Sequence, residues 1–483
     1  MCVALPIVAM AVEVSVNPQH VLGPVKPVNG VGQPPMVGQL NGWPMIRYLK
    51  EAGIPYSRLH DVGGWLGRGI YVDIPNLFPD FDADENDPAN YRFAYTDSLM
   101  KALADNGVEP FYRLGVTIEN FADKKGLPPL RIFPPKDFSK WARICEHVIR
   151  HYTEGWADGF KMKIDHWEIW NEPEIMPQVE LNTMWRAPFS EYVRLYGTVV
   201  PYLKKKFPHL KFGGYASCGF YAVNRPNMPD FHKSFITWFH DFLDYIKTPE
   251  TAAPLDFYSW HLYTSNPDEI RIHSDYVANT LREKGFNHTE SIFNEWNYLD
   301  ENPKPDVRWV RMKNNYGASF VAAAFAILQN SDTDKAMYYD ALPTRAYCGL
   351  YEFPSFKTTA TYDTFKAYNA LYKLGSQCQA EITEPKVKIL AAGDGKDGAI
   401  LVANHNNVPC TLQLEIKNAP QLKYCLMTDD NRRSEPTAFN GTNLELPPYS
   451  LAIISSFDIN EAAGSSDNTP QPKVNHAGLD SGN

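Results

Sequence analysis

Eight strand-like apolar runs, the first before residue 41 and seven between 41 and 375, alternate with helix-period runs, and this alternation constrains the fold more than any other feature of the chain. A helix fits Gly42–Ala52 and ends at Gly53, followed by the run IPYSRLHD at 54–61. Thr96 opens a helix that carries Leu99, Met100 and Leu103, and VEPFYRLGV follows at 108–116. Asp137 caps a helix with Trp141, Ile144, Cys145, Val148 and Ile149 on one face, leading into HWEIWNEPE at 166–174. Helices over 190–206, 231–246, 273–284, 308–329 and 363–374 then alternate with KFGGYAS, DFYSWHLYT, SIFNEWNY and AMYYDALP. Strands joined through helices must run parallel, and eight such units in order predict a closed (β/α)8 barrel.

From Ser376 the texture changes. KVKILAAG, GAILVANH, CTLQLEIK, KYCLMTDD, NLELPP and SLAIISSF are short β-type runs separated by Gly, Asn, Asp and Pro, with no helical period. They predict an antiparallel β-sandwich over 376–459. The expected class is therefore α/β, a TIM barrel over 41–375 with a C-terminal sandwich. Residues 1–40 hold the first barrel strand region and can add a strand to the sandwich. The opening MCVALPIVAMAV reads either as a signal remnant or as a strand, and the alternation through Val12, Val14 and Val16 favours the strand. The Ser-, Asn- and Gly-rich stretch 460–483 predicts a disordered tail.

Composition narrows the function. A formal net charge of −10 argues against nucleic acid and anionic membranes as partners. No run of about 18 apolar residues predicts a membrane span. The seven cysteines form no CxxC pair, so no zinc or redox motif is expected, although the spacing leaves a Cys410–Cys425 bridge open. The acidic run 82–87 reads as a solvated loop, and neither a metal nor a cofactor is expected. Aromatic residues make up 13% of the chain, a content that suits sugar binding as well as packing.

Two strands carry an Asn-Glu pair near their C-terminal ends, Asn171-Glu172 and Asn294-Glu295. A carboxylate on a strand that is otherwise buried is costly unless it has a role. In a barrel of this class the C-terminal strand ends line the active site. Two such carboxylates facing each other are what hydrolysis of a glycosidic bond requires: about 5 Å apart for attack and protonation, about 6.5–9.5 Å when water must fit between them. The other strand ends supply Arg58, His60 and Asp61, Tyr112 and Arg113, His261 and Tyr263, and Tyr338, Tyr339 and Asp340. Trp65 and Trp185, in the loops after the second and fourth strands, are candidate platforms for a pyranose face. Trp296 alternates away from Glu295 and reads as packing.

These residues resemble clan A of the glycoside hydrolases, and most of all family 39, which includes β-xylosidases and α-L-iduronidases. WNEP resembles the clan's acid/base motif, which implies Glu172 as acid/base and Asn171 as its sugar-binding neighbour. NEWN resembles the family's nucleophile strand, which implies Glu295 as nucleophile. His261 with Tyr263, and Arg58 with His60, match the family's His-x-Tyr and Arg-x-His. GLYEFPSFKTTATYDTFKAYNAL and PPYSLAIIS resemble its later segments, so the resemblance spans roughly residues 40–457. It implies an exo-acting, retaining β-glycosidase, xylosidase-like, with a carbohydrate substrate and no cofactor. By analogy with exported sugar-degrading enzymes, it also implies a periplasmic or extracellular location. Homo-oligomerisation is left open. One departure stands out: where the family commonly has a Trp flooring the sugar site, this chain has Tyr338 or Tyr339. Other specificities of the same machinery remain open, namely glucosidase, galactosidase, arabinosidase, uronic-acid hydrolase and endo-glycanase. So does an inactive carbohydrate-binding barrel.

Overall fold

A parallel strand covered on both faces must be apolar on both, and the alternating runs meet that demand by closing on themselves. The computed structural model describes residues 10–36, 44–62, 72–119, 131–300, 302, 304–417, 421–439 and 443–459. In chain order the first nine strands are β1 (Met10–Pro24), β2 (Gly30–Gly32), β3 (Tyr56–Leu59), β4 (Glu109–Leu114), β5 (His166–Ile169), β6 (Lys211–Ser217), β7 (Phe257–Thr264), β8 (Glu290–Tyr298) and β9 (Lys335–Tyr338). Strands β2 to β9 pair in parallel, each with the next, and β2 pairs with β9 to close the barrel.

The helices are α1 (Arg47–Glu51), α2 (Ile74–Leu77), α3 (Ala94–Asp105), α4 (Phe138–Thr153), α5 (Phe189–Lys206), α6 (Phe231–Lys247), α7 (Asp268–Glu283), α8 (Pro305–Arg311), α9 (Asn315–Gln329) and α10 (Ala360–Leu374). Asp137 caps α4 by accepting from Ser139 N at 2.8 Å and Lys140 N at 3.0 Å. Two expectations shift. Helix α3 begins at Ala94, two residues before Thr96, which lies buried inside it. The single helix expected over 308–329 is two, because the Asn314 side chain accepts from Tyr316 N and starts α9 afresh. Among the described residues no helix is long and apolar enough to cross a membrane.

The barrel interior is layered, as the two-residue period of its strands dictates. Phe111, Phe257, Ile292 and Met337 pack with Tyr56 as an apolar floor. Two residues further along the same strands the layer turns polar: Arg58 on β3, Arg113 on β4 and Asn294 on β8, joined by Glu168 on β5. The polar layer is fully buried and supports the mouth above it.

The second domain contains β10 (Ser376–Ile382), β11 (Val387–Gly393), β12 (Gly398–Asn404), β13 (Cys410–Ile416), β14 (Leu422–Met427), β15 (Thr437–Phe439), β16 (Asn443–Leu446) and β17 (Ser450–Ser455). Together with β1 they form one curled, nine-stranded sheet in the order β15-β14-β17-β12-β11-β10-β1-β13-β16. Every pairing is antiparallel except β1 with β13. Alternate residues face two cores: Ile400 and Val402 pack inside the curl, while Leu401 and Ala403 join the barrel's core. Helix α9, buried nearly all round, lies between the two domains. His405 ties them, its ring bonding Ser319 Oγ at 2.9 Å and Ser265 O at 3.1 Å. Cys410 and Cys425 are both free thiols, so the conceivable bridge between them is not made.

Candidate active site

The fold brings the two remote Asn-Glu pairs together. Strand β5 ends at Ile169, and the chain then turns sharply, with Trp170 at φ 72° and Glu172 at φ 39°. Left-handed backbone at non-glycine residues is uncommon and clusters at functional sites. On β8 the register against β7 slips by one residue between Phe293 and Glu295. Such a bulge re-aims side chains. It lets Asn294 reach Glu168 at 2.5 Å while Glu295 also turns to the mouth. An oxygen of Glu172, an oxygen of Glu295 and a ring nitrogen of His261 all lie within 4.8 Å of one another.

Arg58 organises the centre. Its Nε donates to Glu168 Oε2 at 2.8 Å, its Nη1 to Glu295 Oε2 at 3.0 Å and its Nη2 to Asn171 Oδ1 at 2.6 Å. The last bond leaves the Asn171 amide N–H groups as donors for a ligand. Tyr263 Oη donates to Glu295 Oε1 at 2.5 Å. His261 Nδ1 bonds Glu172 Oε1 at 2.8 Å, and its Nε2 lies 3.7 Å from Glu295 Oε2. Burial holds the His261 ring neutral by lowering its pKa to about 4. Replacing Arg58 by Ala would strand Glu168 and Glu295 without their cation. The expected cost is about 3–5 kcal/mol of stability, measurable by urea unfolding.

The two glutamates sit in different surroundings. Burial pushes Glu172 up to about 7, only partly opposed by the Cys218 thiol and the Arg58 guanidinium. Glu295 is also raised by burial, with the Glu172 charge adding to the rise, but Arg58 and the Tyr263 hydroxyl pull it back. One carboxyl thus holds a proton near neutrality, while the other receives donors that favour its charge.

His60 lies behind this centre. Arg113 Nε donates to its Nδ1 at 3.2 Å, which leaves the ring proton on Nε2, 3.2 Å from Asp61 Oδ1. Tyr339 points to the mouth, donating to Asp61 Oδ2 at 3.0 Å and accepting from Gln33 at 2.5 Å. Tyr338 points the other way, against Trp296 and Phe365. Trp296 is packing, as its alternation predicts. Trp185 corrects an expectation: it is 0% exposed, edge-on to Trp170 and Tyr192, so its faces are spent on the core and cannot receive a sugar. Trp65 lies outside the described residues. The acidic run is partly neutralised by bonds from Lys136 to Asp82 and from Arg143 to Glu85.

Glu168, Asn294 and Gln33 were not among the expected site residues. Glu168 could have been found: it alternates inward within HWEI, and a buried inward carboxylate needs a cation. Tyr347 was also missed; it stands 5.7 Å from the Tyr263 ring and 5.9 Å from the Tyr339 ring. Nothing in its loop sequence marked it.

The chain resembles known proteins in sequence and in fold. It is 25% identical over 342 residues to a beta-xylosidase of Geobacillus stearothermophilus, a match covering 63% of this chain and 61% of that relative, so the chain spans about three-fifths of the relative's length. A glucosidase from Croceicoccus marinus superposes with a TM-score of 0.71 at 20% identity, covering 92% of this chain and 99% of that one. A monomeric beta-xylosidase from Caulobacter crescentus superposes with a TM-score of 0.64 at 16% identity, with the same coverage. At these identities the superpositions speak for the fold. Residues 41–339 match the pattern of glycosyl hydrolases family 39, and the chain belongs to that family.

Proposed function

We propose that this protein is an exo-acting, retaining β-glycosidase that releases a terminal neutral sugar of the xylose type. The observation that carries the reading is the pair of facing carboxylates, each with an oxygen within 4.8 Å of the other, in keeping with the close arrangement of roughly 5–5.5 Å that lets one of them attack. Glu295, ionised and oriented by Arg58 and Tyr263, attacks the anomeric carbon. Glu172 protonates the departing oxygen. The same residue then takes a proton from water as that water releases the glycosyl group from Glu295. Asn171 donates to the hydroxyl beside the reacting carbon, a contact that tightens in the transition state.

A neutral glycone fits the charges better than a uronic acid. Arg58 is engaged by Glu168, Glu295 and Asn171. Arg113 is engaged by Asp73 at 2.7 Å and by His60. Both guanidinium charges are thus already matched by carboxylates, so neither brings an unpaired charge to a sugar carboxylate, although Arg113 Nη1 keeps an unused N–H among the described residues.

The test is incubation with activated 2-fluoro β-glycosides of xylose, glucose, galactose and arabinose, followed by intact mass and peptide mapping. We expect a stable adduct on Glu295 from one sugar, with xylose reacting fastest. Turnover of the parent glycoside with inverted product and no adduct from any 2-fluoro sugar would overturn the reading.

A further inference from the structure

Among the described residues, Asp61 is a buried carboxylate with no Lys or Arg bonded to it. It follows β3 in a left-handed conformation, φ 53°, that turns it off the strand. Its contacts are the Tyr339 hydroxyl at 3.0 Å, the Ile118 N–H at 3.1 Å and His60 Nε2 at 3.2 Å. His60 is no cation either, because burial and the neighbouring arginines hold it neutral. Nearby Arg113 bonds His60 and Asp73, and makes no bond to Asp61 among the described residues. All three contacts on Asp61 are therefore neutral donors. A carboxylate offers about four lone-pair positions, and the described residues leave at least one of them for a further donor.

The barrel's strand order says where that position faces. Glu172 follows β5 and Glu295 lies on β8, so the reacting carbon sits over the arc between them. Asp61 follows β3, across the closed ring from β7. Tyr339 links the two: its hydroxyl donates to Asp61, and its ring stands 6.4 Å from that of Tyr263, which donates to Glu295. A pyranose with its anomeric carbon at the glutamates extends its C3 and C4 hydroxyls toward Asp61.

We propose that Asp61 is a specificity-determining residue that accepts hydrogen bonds from glycone hydroxyls at C3 or C4, with Tyr339 and His60 holding it in place. The assignment rests on the glycosidase reading above. It deepens that reading by making a free hydroxyl at one of these carbons the feature for which the pocket selects. A substituent there would leave the carboxylate unpaired in a site closed to water, which is what makes such a contact discriminating.

The experiment compares kcat/KM for the aryl β-glycoside that wild type turns over best with its 3-deoxy and 4-deoxy analogues, in wild type, Asp61→Ala and Asp61→Asn. Wild type should lose about 10²-fold or more on at least one analogue. In Asp61→Ala the parent substrate should fall by a comparable factor, and the deoxy penalty should shrink to within about 3-fold, since the group that reads the hydroxyl is gone. Should the alanine variant not fold by circular dichroism, the near-isosteric asparagine variant decides: its weaker, uncharged acceptor should cut the penalty by about 5-fold or more. A deoxy penalty unchanged from wild type in the folded variant would overturn the assignment while leaving the glycosidase reading intact. A wild type silent on every glycoside would overturn both.

Discussion

Glu295→Gln should lower kcat/KM by about 10⁴-fold or more on every substrate, including aryl glycosides with the best leaving groups. An amide cannot displace the aglycone, whatever that aglycone is. The fold should survive, because the amide oxygen still accepts from Arg58 while the amide N–H can donate to the Tyr263 hydroxyl, so the thermal midpoint should stay within a few degrees of wild type. Added azide should restore turnover to a Glu295→Ala variant by attacking from the vacated side, giving a glycosyl azide of inverted configuration. Residual activity within about 10-fold of wild type would move the nucleophile to another residue.

Glu172→Gln should behave differently, and the contrast separates the two carboxyls. On glycosides with poor leaving groups kcat/KM should fall by about 10³–10⁴-fold, because the departing oxygen receives no proton. On a dinitrophenyl glycoside, which needs none, kcat/KM should stay near wild type while kcat and KM fall together, as the intermediate accumulates without its base. Azide should then raise kcat and yield product of retained configuration. The pH profile provides a second readout. In wild type, activity should fall as pH rises through about 7, where Glu172 loses the proton it must donate. The acid limb should lie above the ordinary glutamate range, because Glu295 is raised and must be ionised to attack. In Glu172→Gln the alkaline limb should vanish. Its persistence there would assign that proton elsewhere.

Much of this centre was legible in the chain because strand ends are legible. WNEP and NEWN pair a polar residue with an acid where an apolar run stops, and the barrel places all such stops around one mouth. His60, His261 and Tyr263 were readable for the same reason. Residues whose position depends on tertiary packing were not. Trp185 sits in a loop, and only the coordinates reveal that Trp170 and Tyr192 enclose it. The break at Asn314 interrupts an unbroken apolar period, because a capping side chain outweighed periodicity. The three-residue β2, Gly-Val-Gly, carries no pattern at all. Its place in the barrel follows from closure, whereas the conspicuous alternation just before it, in β1, serves the other domain.

That placement of β1 bears on how the molecule is made. Glu13 hydrogen-bonds Thr383, 370 positions away, and β1 lies between β10 and β13. On the ribosome this early ribbon must wait for nearly the whole catalytic unit to emerge before its neighbours exist, with both rims open to pairing with the wrong chain. A version cut after the barrel would leave those rims unpaired, so a 1–375 fragment should aggregate where the full chain stays soluble, which comparing the two on expression would check.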